Sequence, residues 1–74
     1  MNDQERLAAF EKMLTDVQAN YSELVARLDR LKAEGKEKSA TFRQYLGNKM
    51  TCQYMLTMYK EYGLIEEIQG GEHK

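Results

Sequence analysis

The first half of the chain carries one uninterrupted apolar stripe with alternating three- and four-residue spacing. An α-helix returns to the same face every 3.6 residues, so this spacing puts every member of the stripe on one side of a single helix. A stripe of this length needs a second helix to cover it. Its members are Leu7, Phe10, Leu14, Val17, Tyr21, Leu24, Leu28 and Leu31.

The residues that flank this segment predict where the helix begins and ends. Asn2 is suited to the N-cap position, and Glu5 follows three residues later, where it can complete a capping box. Gly35 can adopt the left-handed conformation that terminates many helices. We therefore expect a helix over residues 2–34, roughly 48 Å long, and a turn at 35–40.

A second helix is expected after this turn, and it must run antiparallel to the first because the connection is short. Its N-cap is either Thr41, with Gln44 completing a capping box, or Ser39. Gly63 ends the helix, which gives a predicted range of 41–62. Its core-facing stripe consists of Phe42, Tyr45, Leu46, Lys49, Cys52, Leu56 and Tyr59.

Antiparallel pairing around the turn gives an expected register between the two helices. In this register Tyr21 meets Leu56, and Leu31 meets Tyr45. The first helix is the longer one, so its first apolar residues lack a facing helix. Those residues are Leu7 and Phe10, and the candidates to cover them are Leu64, Ile65 and Ile68.

The rest of the chain completes a single all-α domain. Residues 64–68 form a short segment that is either a helical turn or extended chain. Residues 70–74 have the composition of a disordered tail. The predicted architecture is a long antiparallel helical hairpin over residues 1–69.

The size of the chain favours association with a partner. A domain of 74 residues is marginally stable alone, because it buries only about 60% of its unfolded surface. Disulfides, metals or partner subunits usually compensate. Cys52 is the only cysteine and His73 the only histidine, so we expect neither an internal disulfide nor a zinc site built by this chain alone. Oligomerisation is therefore the remaining way for this chain to gain stability.

The second helix indicates which surface associates. Between residues 50 and 62 it carries large, mostly apolar side chains around most of its circumference, and one partner helix cannot cover them. We predict a homodimer in which two hairpins form a four-helix bundle, with their relative orientation left open. Methionine and tyrosine also suit a groove for another protein. The predicted interface residues are Met50, Tyr54, Met55, Met58 and Tyr62, with Met13 and Val25 as neighbours.

Basic side chains around the hairpin tip suggest a second hypothesis, an accessory protein that contacts the nucleic-acid backbone. The net charge is −1, acidic residues are interspersed, and the helix lengths do not fit a helix–turn–helix motif. A solvated loop explains the same residues. The candidate contacts are Arg30, Lys32, Lys36, Lys38 and Arg43.

No arrangement of residues indicates catalysis or cofactor binding. Cys52 is expected inside the hairpin without a partner base, and the adjacent Glu66 and Glu67 point apart in most conformations. Gly70 and Gly71 are not followed by a helix, so they do not form a phosphate-binding loop. We therefore expect a non-enzymatic protein that uses neither a cofactor nor a metal.

The sequence also predicts a cytoplasmic location. No apolar run is long enough to cross a bilayer. The acidic and polar stretch Met1–Glu5 is not typical of a signal peptide. One unpaired thiol fits a reducing compartment.

Overall fold

The computed structural model describes residues 1–68 and contains two α-helices, α1 (Asp3–Ala33) and α2 (Ala40–Glu61). The two helices pack against each other as a hairpin. No β-strand occurs within the described residues. The all-α hairpin predicted from the sequence is therefore confirmed, while the predicted tail at 70–74 lies outside the described residues.

The ends of α1 follow the sequence pattern closely. The Asn2 side chain accepts a hydrogen bond from the Glu5 backbone N–H at 2.8 Å, and the Glu5 carboxylate accepts one from the Asn2 backbone N–H at 3.0 Å. Gly35 has φ +75°, in the left-handed region. The next backbone N–H, that of Lys36, donates to the Leu31 carbonyl at 2.9 Å. The helix thus ends in a Schellman motif.

The beginning of α2 decides between the two predicted caps. The Ser39 hydroxyl accepts a hydrogen bond from the Phe42 N–H at 3.0 Å, and α2 begins at Ala40. Thr41 already lies inside the first turn, so the predicted Thr41–Gln44 capping box is wrong. The alternative cap at Ser39 is correct.

The end of α2 repeats the termination of α1. Gly63 has φ +78°, and the Leu64 N–H donates to the Tyr59 carbonyl at 2.9 Å. The Gly63 N–H donates to the Lys60 carbonyl at 3.0 Å. This second Schellman motif redirects the chain, so that Ile65 packs against the buried cluster of the hairpin.

The buried cluster lies midway along the hairpin and contains Val17, Tyr21 and Leu56, of which Leu56 has no exposed surface. Tyr21 and Leu56 share this cluster, as the predicted register requires. Leu28 and Phe42 are buried nearer the tip. The partly buried side chains around the cluster are Leu14, Val25, Cys52, Met55, Tyr59, Ile65 and Ile68.

The open end of the hairpin differs from the prediction. Phe10 does have a partner on α2, because its ring packs edge-to-face on Tyr59 with the ring centroids 5.5 Å apart. Ile65 and Ile68, which were expected over Leu7 and Phe10, pack against the central cluster. Leu7 is 57% exposed. The predicted register places Tyr59 opposite Val17, seven residues or about two helical turns from Phe10. The two aromatic side chains together bridge this offset, which a register drawn from residue numbers does not include.

Candidate interaction surface

The exposed apolar side chains of α2 lie in one row along the helix. Residues four apart are neighbours on a helix surface, so side chains that repeat at this interval form a continuous ridge. Met50 is 60% exposed, Tyr54 67% and Tyr62 76%. The row, here named the apolar ridge, consists of Leu46, Met50, Tyr54, Met58 and Tyr62.

The seven predicted interface residues divide into two groups. Four of them belong to the apolar ridge, and Met13 is exposed on α1. Met55 and Val25 instead pack against the buried cluster. These two residues therefore offer less surface to a partner than their sequence positions predicted.

Leu46 belongs to this surface, although its spacing predicted a place in the core-facing stripe. It is more than one-third exposed. The signal was present in the sequence, because Leu46 lies four residues before Met50 and begins the same row. Two periodic patterns include this residue, and only packing decides which one it follows.

A shallow apolar cleft of about 300 Å³ continues the apolar ridge at the open end of the hairpin. Leu64, which follows Gly63 in the second Schellman motif, is 52% exposed at its edge. An apolar side chain of a partner fits such a lining better than a charged one. The lining residues are Met55, Met58, Tyr59, Tyr62 and Leu64.

A groove of about 390 Å³ lies between the helices nearer the tip, and Arg27 is among the residues that line it. The Arg27 Nη1 donates to the Tyr45 hydroxyl at 3.1 Å, and its Nε donates to the Glu23 carboxylate at 3.1 Å. The guanidinium carbon lies 5.5 Å from the centre of the Tyr45 ring. Tyr45 thus meets Arg27, one turn away from Leu31, its predicted partner.

These contacts favour the protonated, charged form of Arg27. Its hydrogen bonds, first to Glu23 and then to Tyr45, raise the pKa of Arg27 above its ordinary value. The guanidinium therefore stays charged and is held by two neighbours. Arg27 therefore links the two helices, because Glu23 lies on α1 and Tyr45 lies on α2.

The five basic residues proposed for nucleic-acid contact are all exposed, but they do not share one face. Arg30 follows the buried Leu28 by two residues, which turns it by about 200° to the side of α1 that faces away from α2. Arg43 lies seven residues before the exposed Met50, on the outer face of α2. Lys36 pairs with Glu34 at 3.3 Å. The structure therefore distributes the positive charge around the tip.

Within the described part of the chain, no group of three His, Cys, Asp or Glu side chains is placed to hold a metal ion. His73 lies outside that part. Neither described helix is long and apolar enough to span a membrane. Comparison of the chain with known protein families, with curated proteins and with solved structures finds no match.

Proposed function

We propose that the protein is a non-enzymatic helical module that acts by protein–protein binding, with a second copy of itself as the partner. Two hairpins would form a dimer of four helices. The observation that carries this proposal is the apolar ridge, since large exposed apolar patches usually mark interfaces. The α1 helix has no comparable row, because its large apolar side chains mostly face α2.

The size of the ridge supports an interface. Its exposed fractions correspond to roughly 550 Å² when a fully exposed large side chain is taken as about 200 Å². That is about a tenth of the 5724 Å² surface of the chain. A tenth of the surface is also the usual share that a small protein buries in a specific complex.

The dispersed basic side chains provide no single positive surface, so the nucleic-acid hypothesis has less support than self-association.

We extend the proposal to a cytoplasmic location, which the single unpaired thiol of Cys52 supports.

Light scattering on a size-exclusion column, over a series of micromolar concentrations, tests the proposal. We expect the native chain to be a dimer. The Tyr54→Glu variant should weaken the dimer by about a hundredfold or more, since both copies lose a central aromatic anchor. Its far-UV circular dichroism should remain helical, because Tyr54 is exposed.

Leu7→Glu is the matched control, because Leu7 is similarly exposed but lies on α1. This variant should dimerise like the native chain. A native chain that stays monomeric throughout and binds a hydrophobic dye would contradict self-association. It would instead indicate that the ridge binds a different protein.

A further inference from the structure

A second stripe runs along the side of α2 that faces away from α1. Its members alternate at four- and three-residue spacing, which puts them on one face of the helix. Five members are exposed and Thr57 is half-buried. This outer stripe consists of Arg43, Gly47, Met50, Tyr54, Thr57 and Glu61.

The outer stripe has a symmetric order around position 52. Met50 and Tyr54 lie two residues to either side of it and form an apolar centre. The small residues Gly47 and Thr57 follow at five residues on either side. The ends, nine residues away, are opposite in charge, with Arg43 towards the tip and Glu61 towards the open end.

We propose that the second copy binds through the same stripe, α2 against α2 in antiparallel orientation, with the two-fold axis at the level of residue 52. This inference rests on the proposed self-association and adds its geometry. Met50 then meets Tyr54 of the partner subunit, and Gly47 meets the partner's Thr57. Arg43 meets the partner's Glu61, and the symmetry repeats each contact.

Charge complementarity supports the antiparallel orientation. Among the side chains described by the structure, the ion pairs join other residues, and neither Arg43 nor Glu61 takes part in one. Antiparallel pairing gives each of them an opposite charge, whereas parallel pairing would set Arg43 against Arg43 and Glu61 against Glu61. In an antiparallel pair the dipoles of the two α2 helices also point in opposite directions, which is favourable.

The area available fits a reversible dimer. Leu46 and Met58 flank the apolar centre at equal distances from residue 52, and both are exposed. These two residues together with Met50 and Tyr54 expose roughly 400 Å² per copy, at about 200 Å² per fully exposed large side chain. Small and charged residues at both ends extend the interface towards the lower limit of stable complexes, about 1,200 Å² in total.

Charge reversal tests the orientation, with dissociation constants measured by sedimentation equilibrium at low salt. Arg43→Glu and Glu61→Arg should each weaken the dimer about tenfold, since each variant creates two like-charged contacts. The double variant should return to within about threefold of the native dissociation constant. Each reversal suits its own helix end, so folding should be preserved.

Lys38→Glu is the control, because it makes the same change of charge in the loop and outside the outer stripe. Its dissociation constant should stay within about threefold of the native value. A dimer that none of the reversals changes, or that the double variant fails to restore, would overturn the antiparallel contact and leave the proposed function intact. A native chain without any dimer would overturn both.

A distance measurement gives an independent test. A spin label at position 38, introduced by Lys38→Cys in a Cys52→Ala background, marks the tip of each hairpin. Antiparallel pairing separates the two labels by roughly 40 Å along the helix axes. A distance below about 25 Å would show that the tips lie at the same end and would overturn the proposal.

Discussion

The two helices of the hairpin differ in the number of faces that they use. The α1 helix buries one stripe, and its outer side carries polar residues such as Lys12 and Asp16, which form an ion pair at 3.1 Å. The α2 helix buries Leu56 on one side and exposes Met50 and Tyr54 on the other. The hairpin thus covers most of the apolar stripe of α1 but leaves apolar surface of α2 uncovered.

The largest test of this difference is the truncation of a side chain on each face of α2. Leu56→Ala should lower the free energy of unfolding by about 3–4 kcal/mol, because Leu56 is fully buried. Leu46→Ala on the apolar ridge should lower it by less than about 1 kcal/mol. Urea unfolding in a Tyr54→Glu background removes the contribution of dimerisation. Equal losses would mean that α2 does not have two distinct faces.

A second test concerns the start of α1, where α2 provides less cover. Phe10→Ala should lower the free energy of unfolding by about 2 kcal/mol, since the variant loses a half-buried ring and its contact with Tyr59. Leu7→Ala should cost less than about 0.5 kcal/mol because Leu7 is mostly exposed. Thermal unfolding of both variants is the measurement. Similar losses at positions 7 and 10 would argue against the Phe10–Tyr59 contact.

The caps of the two helices provide a third test. α1 has a reciprocal capping box, whereas α2 has the single Ser39 cap. Ser39→Ala should lower the free energy of unfolding by about 1 kcal/mol, and Thr41→Ala should have little effect. Chemical denaturation of the two variants side by side measures this. A larger loss at Thr41 than at Ser39 would restore the rejected capping box.

Glycine substitutions give the smallest expected effects and sharpen the comparison. Gly47 lies inside α2, and a Cβ atom added there meets nothing within 4 Å. Gly47→Ala should therefore raise the free energy of unfolding of the monomer by about 0.5–1 kcal/mol. Gly35→Ala should lower it by a similar amount because of the positive φ. A loss at both positions would mean that space around Gly47 is restricted.

Local sequence signals predicted α1 almost completely. Its stripe, its Asn2–Glu5 capping box and its Gly35 terminus each depend on residues close together in the chain. The N-cap of α2 was ambiguous because Ser39 and Thr41 both carry a suitable hydroxyl group. The loop decides between them, since the Ser39 hydroxyl also donates to the Lys36 carbonyl at 2.9 Å.

Contacts between distant segments were harder to predict. The sequence identified most of the candidate surface, because Met50, Tyr54 and Tyr62 are too large and too apolar for a polar face. It placed Met55 and Val25 there as well, although their final exposure depends on how closely the helices and residues 65–68 approach one another. Helical periodicity predicts the direction in which a side chain points, whereas packing determines how deeply the side chain is buried.

The edge-to-face contact between Phe10 and Tyr59 has a consequence for the order of folding. The loop brings neighbouring residues together first, because closing a short loop costs little conformational entropy. Helix pairing can then propagate away from the tip, and the most distant aromatic contact forms last. In the reverse direction, this contact breaks first. Amide hydrogen exchange should therefore be fastest near the open end and slow progressively towards the buried cluster.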